Sequence, residues 1–488
     1  MPKGSGASPL RVTRQPPAHT VRLERAQGIG SRPRLHVSAD GVGVVGHDGA
    51  RLLADLADVT GLTSSYSTAL GPLRPRGTGH DPGRITTDPA VMVADGGEAI
   101  TDLATLREQR EVFGPIASTP TAWRLLAAVD ERVLGRLRSA RAQAREVAWP
   151  QASETRCGIP AATAGGREMP GLVLDIDATP ITCHSEKDQA APTCKGGFGF
   201  HPLLCFLANT GQGMSGRLRP GNSGANTAAD HIAVLDDALA QIPDAHRHGT
   251  DILVRTDSAG SAKSFLSHIR DLRTRGIHTF FSVGYAVTEP VRRAIRSLPE
   301  LVWHPALDQD GTLRESAEVA GLTGMADLAG YPHHRPPRTS PPGAQLSLFD
   351  QDEGLRHQVF LTDTPITSDS AQFLEVRHRG HATVEDHIRC GKTTGFGRVP
   401  SRRFGVNAAR LELSLAAIDL LARTRFLLLD GELATAEPKK LRYRILHVAA
   451  RITWGSRRLR LRISATWPWR HELAAAFHRL AALPRPAS

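Results

Sequence analysis

Two short apolar runs that stop on carboxylates constrain this chain more than anything else in it. Gly171-Leu172-Val173-Leu174 is followed by Asp175 and Asp177, and Asp251-Ile252-Leu253-Val254-Arg255-Thr256 by Asp257-Ser258. Successive strand residues alternate sides, so Asp175 and Asp177 share one face of a strand. A carboxylate at the end of a central strand is costly unless it meets a cation. Two strands ending this way therefore predict aspartates gathered at one edge of a sheet around a metal. An ordinary strand ending in a solvated turn is the plainer reading of either run alone.

The surrounding pattern supports an α/β domain. Phe198–Leu207 and Met214–Leu218 read as strands, Ala228–Ile242 as a helix capped by Asn226 or Thr227, Ala262–Arg273 as a helix and His278–Val283 as a strand. Three strands, a helix, then strand-helix-strand imply a mixed sheet. Residues 301–365 interrupt it with the strand-like stretches Leu301–His304, Leu313–Val319 and Gln358–Thr362, around the proline-rich stretch Pro332–Pro342.

A third feature is Glu375–Lys392, read as one helix. Glu385 then has His381 four residues before it, Arg389 four after it, and His378 and Lys392 seven to either side. All fall roughly on one face. A carboxylate set among bases suits a metal-and-phosphate surface, and a solvated helix with paired charges is the competing reading.

The flanks differ from the centre. Residues 1–35 are rich in Pro, Gly, Ser and Arg and read as a flexible basic arm. Residues 36–150 are mostly helical, with one long helix expected from Pro120 through Trp149. Residues 396–488 read as a basic helical region, opened by the apolar stretch Asn407–Leu429. Charge decides what this tail is for: the chain carries 60 Lys and Arg against 49 Asp and Glu, net +11. Pro438–Ser488 holds 12 bases and one acid, 12 − 1 = +11, so the remainder is near neutral. Lys439, Lys440, Arg457, Arg458 and Arg460, beside Trp454, Trp467 and Trp469, suit contact with a nucleic-acid backbone. Five cysteines without a C-x-x-C pair argue against a disulfide framework or a zinc-cysteine site. No apolar run reaches the length of a membrane span, and a cytoplasmic protein is expected.

The segments LDIDAT, RTDSAG and VEDHIR resemble the active-site segments of DDE transposases from bacterial insertion sequences. The resemblance is to the insertion-sequence family numbered thirteen-eighty, a relative of the insertion-sequence-four group. It extends through ATPITCHSEKDQAAPTCKGGFGFHPLLCFLANTGQGMSGRLRPGNSGANTAADH, HDPGRITTDPAVMVADGGEAITDLATLR, RHRGHATVEDHIRCGK and GELATAEPKKLRYRILHVAARI, covering roughly residues 20–485. It implies an RNase H-like core in residues 151–300 and 366–395, a β-rich insertion in 301–365, a helical DNA-binding or dimerisation domain in 36–150, and the basic region in 396–488.

It also implies Asp177, Asp257 and Glu385 as the metal-binding triad, at intervals of 257 − 177 = 80 and 385 − 257 = 128. Asp177 is preferred to Asp175 because relatives place a small residue and Thr after the aspartate, as in Asp177-Ala178-Thr179. Related groups carry a Y-x2-R-x3-E-x6-K signature. Glu385 and Lys392 fit it, while His378 and His381 stand where Tyr and Arg contact DNA phosphates in relatives. Three converging carboxylates can hold two Mg²⁺ or Mn²⁺ ions about 3.5–4 Å apart. The expected activity is cleavage at insertion-sequence ends and strand transfer into target DNA, by a homodimer bound to terminal inverted repeats. A nuclease of the same fold that cuts without joining, and a decayed DNA-binding protein, are the alternatives.

Overall fold

The computed structural model describes residues 42–73, 79–184, 186–193, 196–224, 227–322, 334–335, 337–339, 356–364, 369–455 and 458–485. The basic arm, Asn226, most of the proline-rich stretch and Arg457 lie outside the described residues. The architecture is mixed α/β, and Val44–Ser488 forms one compact unit.

Its centre is a seven-stranded sheet built from β1 (Leu172–Ala178), β2 (Leu203–Leu207), β3 (Gln212–Arg217), β4 (Ile252–Thr256), β5 (Thr279–Tyr285), β6 (His334–Arg335) and β7 (Val359–Thr362). The spatial order is β6-β7-β5-β4-β1-β2-β3. β1, β2 and β3 form an antiparallel meander, whereas β4 and β5 run parallel to β1. Parallel neighbours need a crossover. The helices Ala228–Leu239 and Lys263–Asp271 supply those leading to β4 and β5. The apolar runs seen in the sequence are these parallel strands, buried on both faces: every residue of β4 and Leu172–Ile176 of β1 is buried.

Between β5 and β7 the chain forms the helix Glu289–Arg296 and a separate four-stranded sheet of His304–Leu307, Leu313–Val319, Pro337–Thr339 and Arg356–His357. Leu301 belongs to a 3-10 turn, with the strand starting only at His304. Phe198–Leu207 is not one strand either. Phe198–Phe200 joins a small three-stranded sheet, and β2 begins after the His201-Pro202 break.

The long helix expected before Trp149 is interrupted. Thr119–Ala127 ends, and the Asp130 carboxylate accepts from Val133 N at 2.8 Å to start Glu131–Thr155. A good N-cap outcompetes continuation of the periodic pattern. The helix Phe404–Arg423 is buried on nearly every side, packing on both β3 and the helix Pro82–Ala94. Charges are buried with it. Arg141 donates to Glu412 at 2.7 Å and to Asp419 at 2.9 and 3.1 Å, and Arg145 to Asp419 at 2.6 Å. Both arginines also donate to the Gly213 carbonyl of β3.

The C-terminal region is not wholly helical. After a short helix Pro438–Leu441, Ala450–Gly455 and Arg458–Ile463 pair as an antiparallel ribbon, followed by the helix Arg470–Ala482. Val44–Val45 adds a third strand beside Ala450–Gly455. The alternation of arginine with apolar residues in Arg458–Ile463 is the strand period itself.

Candidate active site at the strand ends

Ile176 of β1 lies opposite Thr256 of β4 in parallel register. Asp177, still on β1 opposite Leu204 of β2, and Asp257, the first residue past the end of β4, therefore follow side by side. Asp257 turns the chain at once, accepting from Ala259 N at 3.0 Å. β5 must pass close to this turn: a Cβ on Gly284 would lie 2.8 Å from Ser258 N.

Glu385 comes from across the sheet. Glu375–Lys392 is two helices, Ala371–Arg379 and Thr383–Gly391, joined by a 3-10 turn at Gly380–Ala382. His381 in that turn donates from Nε2 to the Ile176 carbonyl at 3.1 Å, tying the second helix to the end of β1. Val384 and Ile388 are buried against Leu204 and Phe206 of β2, which leaves Glu385 exposed in the first turn.

Asp177 reports the convergence electrostatically. Burial pushes its carboxyl up to about 6, with the neighbouring Asp257 and Glu385 carboxylates raising it further, while His381 and the Ala178 N–H act against the rise. Like charges gathered in one place disfavour ionisation. The three carboxylates nevertheless stay apart. Among the described residues, His47, Asp95 and His447 are the group whose ligand atoms all lie within 4.8 Å of one another.

Asp175, the competing first aspartate, is fully buried and committed elsewhere. Arg255 binds it through both nitrogens, Nε to Oδ1 at 2.7 Å and Nη2 to Oδ2 at 2.8 Å, and donates Nη1 to the Arg377 carbonyl at 2.7 Å. Gly380 allows this reach, since a Cβ there would lie 2.6 Å from Arg255 Nη1. The sequence contained the signal. Asp175 precedes Asp177 by the same two residues by which Arg255 precedes Asp257, so strands that align the later pair must align the earlier one.

His378 does not fit the phosphate-contact role expected of it. Its ring stacks on Phe360 at 4.6 Å and its Nδ1 lies 3.0 Å from Ser282 Oγ. Burial, then the charges of His381 and Arg255, push its pKa down to about 3, so the imidazole is neutral and inward-facing. The helix break turns it out of the stripe drawn for one straight helix. His381 stays beside the carboxylates, and Lys392 closes the glutamate helix seven residues beyond Glu385. Arg389 faces away from them and pairs with Asp386 at 3.0 Å and Glu437 at 2.8 Å. Lys440 pairs with Glu432 at 3.0 Å, and Lys439 is exposed.

Arg458 and Arg460 lie on the ribbon, where cross-strand partners place Arg451 opposite Arg462, Thr453 opposite Arg460 and Gly455 opposite Arg458. Four exposed arginines thus share one ribbon face, with no acidic partner for any of them among the described residues. Trp454 and Leu459 form an exposed apolar pair on the other face near the turn. No described helix is long and apolar enough to cross a membrane.

No curated protein matches the chain. Among solved structures it is similar to a piggyBac transposase in a synaptic complex with hairpin DNA. That likeness has 10% identity and a TM-score of 0.40, and covers 81% of this chain and 79% of that one. The sequence itself matches the family described as transposase DDE domain group 1 over residues 27–485, nearly its full length, and the chain belongs to that family of transposases.

Proposed function

We propose that this chain cleaves DNA at the ends of a mobile element and joins those ends to target DNA, with Asp177, Asp257 and Glu385 as the metal-binding triad. The observation that carries the reading is the shared end of β1 and β4, where two aspartates emerge in register and the field of Glu385 reaches Asp177. The strand order β3-β2-β1-β4-β5, with only β2 antiparallel to its neighbours, supports an RNase H-like core. The four-stranded sheet between β5 and β7 supports reading residues 301–365 as an insertion into that core.

The carboxylates fit divalent cations. None of the three is held in an ion pair with a base among the described residues, unlike Asp175. Burial first, and then the neighbouring carboxylates, raise Asp177, and a bound cation would offset both. Two Mg²⁺ or Mn²⁺ ions bound there supply Lewis acidity at the phosphate and an activated water or 3′-hydroxyl. The protein's part is to hold three oxygen donors on rigid elements: two strand ends and a helix pinned through His381. Above a pH of about 6 Asp177 is ionised and ready to ligate. Lys392, seven residues beyond Glu385, and His381, at the end of β1, are the bases this reading assigns to an approaching phosphate.

The ribbon supports DNA contact away from the triad. Arginine directly opposite arginine, as at Arg451 and Arg462, destabilises a strand pair unless an anion lies across them. Cleavage at two ends favours a homodimer on paired terminal repeats. The test uses duplex DNA carrying the element's ends. Asp177→Asn, Asp257→Asn and Glu385→Gln should each abolish nicking while end binding in Ca²⁺ persists. A nicking-competent Asp257→Asn protein would refute the triad. Wild-type protein that nicks without forming joined product would mark a nuclease instead, and one that binds without nicking a decayed transposase.

A further inference from the structure

A second cluster of metal-ligating side chains lies outside the strand-end site and has no part in the chemistry above. His47, Asp95 and His447 come from three distant segments. His47 follows the edge strand Val44–Val45, Asp95 closes the helix Pro82–Ala94, and His447 stands three residues before the ribbon. His47 Nδ1 lies 2.6 Å from Asp95 Oδ2, and His447 Nε2 lies 3.2 Å from Asp95 Oδ1. The two rings are 4.2 Å apart.

We propose that His47, Asp95 and His447 form a structural transition-metal site, suited to Zn²⁺, that fastens the base of the arginine ribbon to the helical region.

Three observations carry this. The donors are two imidazole nitrogens and one carboxylate, a set used by zinc and disfavoured by Mg²⁺ and Ca²⁺, which take oxygen ligands. The site would therefore be chemically distinct from one built of three carboxylates. Secondly, Asp95 is 5% exposed, and its Oδ1 has no hydrogen-bond partner. The His447 Nε2 hydrogen is directed at the Asp95 carbonyl, 2.7 Å away, so the neighbouring carboxylate oxygen is left unsatisfied. A buried carboxylate oxygen that accepts no hydrogen bond and has only the His447 ring 3.2 Å away is costly, and it sits at a helix C-terminus, where the dipole adds to the cost. Arg442 offsets part of this, but its guanidinium is spent on the Ala94, Val93 and Thr393 carbonyls and on Thr394 Oγ1. Thirdly, His47 holds a left-handed backbone with φ of 54°, uncommon for a residue other than glycine.

The ligand atoms already lie within 4.8 Å of one another, and to hold an ion each ring proton must be carried on its other nitrogen, with His447 Nε2 released from the Asp95 carbonyl. The histidine side chains are 36% and 37% exposed, so water can supply a fourth ligand. Val44 and Val45 pair with Arg451 and Ala450. An ion joining His47 to His447 would close the open end of that strand pair.

The test uses the full, untagged chain, stripped with a chelator and titrated with Zn²⁺ against a chromophoric competitor in excess Mg²⁺. Wild type should retain one tightly bound equivalent, and Co²⁺ in its place should give the visible absorption of a low-symmetry nitrogen-oxygen site. The His47→Ala/His447→Ala protein should lose that equivalent and the Co²⁺ spectrum. His47→Gln, which keeps a group able to hydrogen-bond Asp95, serves if the double variant misfolds, and should weaken Zn²⁺ binding at least about tenfold, since losing even a residue that orients a ligand does so. Wild type that retains no Zn²⁺, or either folded variant that binds it like wild type, overturns the proposal.

Discussion

Asp175 and Asp177 stand two residues apart on one strand, yet their carboxamide variants should move stability in opposite directions when no metal is present. Asp177 is raised from its ordinary 3.8 to about 6. At 1.36 kcal/mol for each tenfold change in proton affinity, that rise corresponds to at most about 3 kcal/mol. The folded pKa exceeds the unfolded one, so the folded state binds this proton more tightly. Its contribution is fully present below about pH 4 and is lost as pH rises through about 6. At about pH 7.5 the ionised Asp177 is therefore a net cost, and Asp177→Asn should stabilise the chelator-treated protein by up to about 3 kcal/mol. Near pH 4 the two proteins should unfold alike.

Asp175→Asn does the reverse. It leaves Arg255 buried without its counter-charge, which costs about 3–5 kcal/mol. Urea unfolding followed by tryptophan fluorescence in EDTA, at both pH values, is the assay. A chain this long need not unfold in one step, so the direction of the midpoint shift is the readout. Mg²⁺ should then stabilise wild type and not Asp177→Asn. An Asp177→Asn midpoint below wild type at neutral pH would refute the assignment of a repulsive, metal-ready carboxylate to position 177.

Three further outcomes are expected. Gly284→Ala should push the Ser258 turn away from β5, lowering cleavage at least about tenfold with end affinity nearly kept, because ångström-scale misplacement of a reacting group is that costly; unchanged cleavage would show that the Asp257 turn tolerates the shift. Replacing Arg458, Arg460 and Arg462 together by Ala should flatten the log K against log salt slope for duplex DNA by roughly 2–3, nearly one for each phosphate left unneutralised, as measured by fluorescence anisotropy. With His378 neutral far below physiological pH, any strengthening of end binding between about pH 8 and 6 should survive His378→Ala, measured with Ca²⁺ in place of Mg²⁺.

Much of the central sheet was legible because buried parallel strands advertise themselves. Leu172–Leu174 and Ile252–Val254 are continuous apolar runs, and the carboxylates come where each run closes. Glu385 was legible from its segment, but its surroundings were not. The 3-10 turn at Gly380–Ala382 packs against Arg255, where a Cβ on Gly380 would lie 2.6 Å from Nη1, a tertiary contact that helical periodicity cannot express. Placing His378 beside Glu385 assumed a straight helix, and the turn sends that ring against Phe360 instead. The ribbon was half visible: its arginines and tryptophans stood out, but the pairing of Ala450–Gly455 with Val44–Val45 joins segments some 400 residues apart (450 − 44 = 406). The same distance hid His47 and His447 from any spacing argument.

The buried arginines carry a consequence for how such a protein can be rearranged. Arg141 and Arg145 leave one helix and find their acids, Glu412 and Asp419, on another more than 250 residues later, with a β3 carbonyl between them. Exchange of the helical segment with that of a relative would strand two guanidiniums or two carboxylates in an apolar interior unless both sides came together. Recombination would therefore fail at the seam between helices and sheet. The Glu131–Thr155 and Phe404–Arg423 helices are bound to change as one inheritance.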